Sequence, residues 1–139
     1  MTTLATRLGK LRGLDDGRVK TFLGVPYAEP PVGERRDKAP LMISAWDGTR
    51  DATQFPNRAI QPEGGVSLQF KKPIAGELSE DCLYLNIVTP SKSGKPCPVL
   101  FWVHGGAFVT GSANEYDGGV LAAQGDVVVV TVNFRLGAF

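Results

Sequence analysis

Five apolar residues at 99–103, Val-Leu-Phe-Trp-Val, run without a break into His104-Gly105-Gly106-Ala107. This junction limits what the chain can fold into more than any other stretch. A short run of β-favouring residues bounded by Pro98 and by glycines predicts a strand buried on both faces, as in a parallel sheet. After His104 no side chain larger than a methyl occurs until Phe108. Glycine reaches backbone angles that other residues resist, and a Gly-Gly-Ala path leaves backbone N–H groups uncovered. N–H groups held in that way can point at a negative oxygen developing in a transition state. A plain tight turn uses the same residues, so the surrounding sequence has to separate the two readings.

The chain has 139 residues, enough for one domain, with 42% hydrophobic and 21% charged content, which is ordinary for a soluble globular protein. A formal charge of +1 gives no reason to expect nucleic acid or an anionic membrane as a partner. No apolar run approaches the ~20 residues of a membrane span. The opening MTTLATRLGKLRG lacks the apolar stretch of a secretory leader. Cys82 and Cys97 allow either one disulfide or two thiols, and the absence of a leader favours thiols. With His104 they reach three metal ligands at most, at no recognisable zinc spacing. No metal and no cofactor is therefore expected.

Residues 4–28 predict a β-hairpin turning at Asp15-Asp16-Gly17. The proline-rich segment 27–33 predicts a rigid extended path. Residues 34–38 are five consecutive charges and read as solvated surface, and Trp46 is the one large anchor that follows. Residues 56–79 show no clean period and predict a long irregular excursion. The stretch 82–89 predicts a strand ended by Pro90. A short helix follows Tyr116-Asp117-Gly118-Gly119, with Asp117 as N-cap and Gly125 as the stop. Residues 127–132, six in succession with β-branched side chains, predict a second strand with both faces covered. Strand, helix, strand is the βαβ pattern of a parallel sheet. Two strongly apolar strands with one short helix to cover them predict the front part of a larger fold.

Four stretches carry a family likeness: GVPYAEPPVGERR, SEDCLYLNIVTP, PVLFWVHGGAFVTGS and GDVVVVTVNFRLGAF. In order and spacing they resemble the type-B carboxylesterases, the cholinesterase-like branch of the α/β-hydrolases, over nearly the whole chain. The resemblance implies an α/β fold, with residues 1–139 as the N-terminal part of one α/β-hydrolase domain. That part is a β-hairpin followed by strands of a central, mostly parallel sheet. It implies an ester hydrolase with a Ser-Glu-His triad, in which the serine attacks the carbonyl and the histidine takes its proton. The HGG-type turn is then half of an oxyanion hole. Gly106 and Ala107 supply the N–H groups, Gly105 lets the backbone turn, and His104 orients the loop. The G-x-S-x-G nucleophile motif does not occur in these residues, and His104 is the only histidine. The chain alone is expected to be inactive, with a carboxylic ester as substrate of the complete enzyme and a C-terminal polypeptide as a complementing partner.

Departures from the family pattern refine these expectations. Ala59 stands near the place where many relatives have a cysteine that pairs with the one at Cys82, which favours a cytoplasmic, bacterial-type enzyme. Lys72 falls near a tryptophan that receives choline in cholinesterases, and a lysine there disfavours choline esters. Asp37 replaces an aromatic residue. Arg36 and Glu80 match a family ion pair. Two other readings stay open: a noncatalytic cholinesterase-like interaction protein and a truncated remnant without function. The HGGA turn favours the esterase origin over the first of these.

Overall fold

The computed structural model describes residues 1–62, 73–92 and 94–138. β1 (Thr2–Ala5), β2 (Lys10–Asp15) and β3 (Val19–Pro26) form an antiparallel meander. The hairpin between β2 and β3 turns where predicted. The Asp16 carboxylate accepts from the N–H groups of Arg18 and Val19, both at 2.8 Å, the local bonding that makes aspartate a turn former. β4 (Thr49–Asp51) runs parallel to β2, with Arg12 Nη2 2.7 Å from Asp51 Oδ2. Neither β1 nor β4 is foreseen from the sequence.

β5 (Tyr84–Pro90) pairs antiparallel with β3 on one side and with β7 (Val128–Val132) on the other. β6 (Val99–Val103) lies parallel to β7, in register from Val99↔Val128 to Val103↔Val132. The helix α1 (Gly119–Gly125) lies on the crossover between them. The strand order is β1-β2-β3-β5-β7-β6, with β4 beside β2. The sheet of this α/β arrangement is therefore mixed. Of the contacts along the main path, only β6 with β7 is parallel.

Three clusters make the core. α1 lays Ala122 on Val19, Val88 and Val129. Leu11, Phe22 and Ala52 pack beneath Trp46, which also donates its indole N–H to the Lys10 carbonyl at 3.1 Å. Ala28, Ala59, Cys82, Leu83 and Leu136 form the third, beside Tyr27 and Phe134. Ala59 and Cys82 thus share one buried cluster, and among the described residues no disulfide is present.

The structure corrects four expectations. The strand at 99–103 is not covered: all five side chains of β6 are exposed, from 37% at Leu100 to 63% at Val99. The reason is its place at the end of the strand order, bonded to β7 alone among the described residues. The strand predicted at 82–89 begins at Tyr84, because Cys82 and Leu83 form a turn closed by Tyr84 N–H on the Cys82 carbonyl at 3.0 Å. Gly118, not Asp117, is the N-cap of α1, although Asp117 Oδ1 accepts the Gly119 N–H at 2.8 Å. The helix ends through Asp126 in a left-handed conformation (φ 50°), one residue after Gly125. Lys72 lies outside the described residues.

Candidate active site

β6 delivers His104 to a turn whose backbone is unusual. Gly106 has φ 118°, Ala107 54°, Phe108 59° and Gly111 114°. Ala107 and Phe108 each carry a side chain in the left-handed region, at a cost of about 1–2 kcal/mol apiece. Several bonds hold them there. The Gly106 carbonyl accepts from Val109 N–H at 2.9 Å and Thr110 N–H at 3.1 Å. The Phe108 carbonyl accepts from Gly137 N–H at 2.7 Å, and the Phe108 ring meets Phe134 edge-on at 5.9 Å. Gly106 tolerates no side chain, since a Cβ would lie 1.9 Å from the Thr110 carbonyl oxygen.

The result is a turn with the carbonyls of Gly105, Gly106 and Phe108 occupied and its leading N–H groups open. Among the described residues, nothing accepts from the N–H of Gly106 or of Ala107. Ala107 is exposed and Gly106 partly so. His104 beneath them is buried, its ring stacked on Phe134 at 4.4 Å and 12°. Its Nδ1 lies 2.9 Å from the Gly105 carbonyl. A carbonyl only accepts, so Nδ1 carries the proton. Nε2, also buried, bonds to no described residue. Among the described residues the ring bonds to neither a carboxylate nor a hydroxyl with which to relay a proton.

The four sequence stretches behind the family likeness meet behind this turn. Tyr27 donates its hydroxyl to the Asn133 carbonyl at 2.9 Å, and burial pushes that phenol up to about 12. Arg135 Nη1 donates to the Lys38 carbonyl at 2.9 Å. Arg36 Nε lies 2.7 Å from Glu80 Oε1 with both side chains part-exposed, and the bond to Glu80 raises the Arg36 pKa. Arg35 reaches Glu29 at 3.6 Å. The run of charges at 34–38 is thus solvated, but not uniformly unpaired.

Sequence reasoning missed the polar scaffold between these elements. Asn86 Nδ2 donates to Asn114 Oδ1 at 3.0 Å, and Asn86 Oδ1 accepts the Gly24 N–H at 3.1 Å where β3 slips register against β5. Asn114 Nδ2 donates to the carbonyls of Pro56 and Ala75 at 2.9 and 2.8 Å. Asn133 Oδ1 accepts from Ser112 Oγ at 3.1 Å and from Ala113 N–H at 2.7 Å. All of these side chains are buried. Their signal is present in the sequence: an asparagine inside the apolar stretch LYLNIV, and another directly after VVVVTV, must find partners when buried. Two clefts, one of about 570 Å³ and one of about 310 Å³, lie away from the turn. The cleft of about 310 Å³ is lined by Phe55, Asn86, Asn114, Tyr116 and neighbours, and by none of residues 104–107.

Comparison with known proteins decides the family. The carboxylesterase family profile matches residues 1–139. The chain belongs to the carboxylesterase family. Para-nitrobenzyl esterase of Bacillus subtilis is 44% identical over 138 residues, 98% of this chain and 28% of that protein. Human carboxylesterase 3 is 45% identical over 145 residues, 95% of this chain and 25% of that protein. Among solved structures, a thermophilic PNB esterase superposes with a TM-score of 0.90 at 44% identity, over 99% of this chain and 28% of that one. A carboxylesterase of Geobacillus stearothermophilus superposes at 0.86 with 47% identity, over 100% of this chain and 27% of that one. This carboxylesterase chain therefore spans about a quarter of the length of the relatives it matches. The neighbours are esterases of the α/β-hydrolase fold, and the βαβ unit of β6, α1 and β7 with its mixed sheet is part of that fold. No helix among the described residues is long and apolar enough to cross a membrane.

Proposed function

We propose that residues 1–139 form the N-terminal part of a carboxylic ester hydrolase domain and supply two donors of its oxyanion hole. The observation that carries this reading is the pair of open N–H groups at Gly106 and Ala107, on a left-handed turn at the end of β6. On an ester carbonyl under attack, charge collects on oxygen, and donors fixed in advance stabilise it without reorganising. Gly105 leads into the turn with a backbone conformation and open space that would admit a side chain. His104, stacked on Phe134, holds the loop's orientation and carries no proton in the reaction. Serine nucleophile, histidine base and glutamate come from polypeptide outside these residues, which contain no G-x-S-x-G. A complementing C-terminal portion is the partner this requires, and a carboxylic ester the substrate. The thiol of Cys82, packed beside Ala59 and without a disulfide, supports a cytoplasmic enzyme.

The purified chain should leave an aryl ester at background rate and take no label from a serine-directed organophosphonate. Stoichiometric labelling of one of its serines would overturn the division of labour. Joined to the remainder of the Bacillus subtilis para-nitrobenzyl esterase, the chain should support hydrolysis. In that protein Gly106→Val should lower kcat on the order of 10²–10³-fold, the cost of one oxyanion donor. KM should change far less, because the bond strengthens only in the transition state. An undiminished kcat removes Gly106 from the site.

A further inference from the structure

Gln61 grips the far end of the glycine turn with one side chain. Its Oε1 accepts the Gly111 N–H at 2.8 Å, and its Nε2 donates to the Gly111 carbonyl at 3.0 Å. The same Nε2 donates to the carbonyl of Ala59 at 3.1 Å. Both amide protons and one oxygen lone pair are engaged. A side chain thus makes the two-way bridge that a neighbouring strand makes with its backbone. The anchor is firm, because Ala59 is 4% exposed within the cluster of Cys82 and Leu136.

What Gln61 holds is the base of the turn. Gly111 has φ 114°, and a Cβ there would lie 2.5 Å from the Gly105 carbonyl oxygen and 2.5 Å from His104 Nδ1. Gly111 therefore lies flat against His104 and the peptide after it. That peptide is where the path to the Gly106 and Ala107 N–H groups begins. The bonds from Val109 and Thr110 to Gly106 close the turn on itself, and the Gly137 N–H on the Phe108 carbonyl ties its middle to the chain after β7. Gln61 ties its end to the core, across fifty residues of sequence.

We infer that Gln61 is a positioning residue for the Gly106 and Ala107 donors, clasping Gly111 so that both N–H groups stand where an oxyanion would form. This rests on the oxyanion reading of the turn. Misplacing a catalytic group by about 1 Å costs on the order of 10²-fold in rate. A clasp that sets position should therefore appear in kcat.

Two measurements test it. In the chain joined to the remainder of the Bacillus subtilis para-nitrobenzyl esterase, Gln61→Met keeps the length of the side chain and loses all three bonds. Gln61→Glu keeps an acceptor for Gly111 and sets a second oxygen against two carbonyls. Both should lower kcat by about 10- to 100-fold with KM within about threefold of the parent, Glu at least as severely as Met. In the 139-residue chain, Gln61→Met should speed amide hydrogen exchange across 105–112 by about tenfold or more and leave β3, β5 and β7 unchanged. A parent-like kcat in Gln61→Met, or unchanged exchange across 105–112, overturns the inference. So does exchange that quickens throughout the sheet, since it makes Gln61 a general stabiliser. Gly106→Val measured alongside separates the two claims. If it loses kcat while Gln61→Met does not, only the clasp falls. If it keeps kcat, the oxyanion reading falls, and quickened exchange across 105–112 alone would leave Gln61 a tether of that loop without a catalytic consequence.

Discussion

β6 and β7 are adjacent, parallel and both wholly uncharged, yet β6 is exposed at every position and β7 is buried at four of five. Their own residues do not make this difference. β7 has β5 on one side and β6 on the other, Ala122 of α1 against Val129, and Thr131 bonded to the Ala113 carbonyl at 3.3 Å. Among the described residues β6 pairs with β7 alone, and its Trp102 meets the tilted ring of Tyr116 at 5.3 Å. An apolar strand announces a demand for cover. Whether the demand is met depends on the strand that comes next in the sheet. An open edge of this composition is a template for further pairing.

The largest test of that contrast uses two residues on one rung. Phe101 faces Val130 across the parallel ladder, the first 57% exposed and the second 8%. Val130→Asp would bury a charge without a partner, a loss of about 3–5 kcal/mol, enough to unfold a domain whose total stability is of the order of 5–15 kcal/mol. Phe101→Lys should stay within about 0.5 kcal/mol of the parent and reduce association by charging the edge. Urea denaturation reads the first quantity and light scattering the second. Equal losses at the two positions would mean that β6 is covered in solution, by a second copy or otherwise.

This contrast also marks where sequence reading reached and where it stopped. The Asp16-Gly17 hairpin, the βαβ unit and the buried strand expected at 127–132, which begins at Val128, were legible, because turn chemistry and β-branched runs act locally. The family was legible from motifs whose residues turn out to interlock: Tyr27 with Asn133 and Arg36 with Glu80. The bareness of β6 was not legible residue by residue, since Val99-Leu100-Phe101-Trp102-Val103 reads the same at an edge as in a centre. The asparagine scaffold and the Gln61 clasp were invisible for another reason. Each joins positions about 20 to 76 residues apart through amide side chains, and no local pattern links an amide to a distant carbonyl. The open N–H groups of Gly106 and Ala107 follow from φ values that the glycines permit but do not dictate.

The smallest effect comes from a probe that leaves the fold as it is. Cys82 is 1% exposed among Leu83, Ala59 and Leu136, on the covered side of the molecule. Cys97 is only partly buried, two residues before β6. Burial pushes the Cys82 thiol from its ordinary 9.0 up to about 11, with the Asp81 carboxylate adding to the rise. The thiolate is the reactive form. At pH 8 an alkylating reagent should therefore modify Cys97 well before Cys82, and Cys82 should react at the rate of unfolding. The folded pKa lies above the unfolded one, so the folded chain holds this proton more tightly. The stability this contributes is full below about pH 9 and is lost as pH rises through about 11. Peptide mass mapping after timed alkylation, with and without urea, measures the first effect, and thermal midpoints between about pH 8 and pH 11 measure the second. Should Cys82 label as fast as Cys97 in the native chain, the third cluster is open to solvent, and the contrast between a closed centre and a bare edge fails on its closed side.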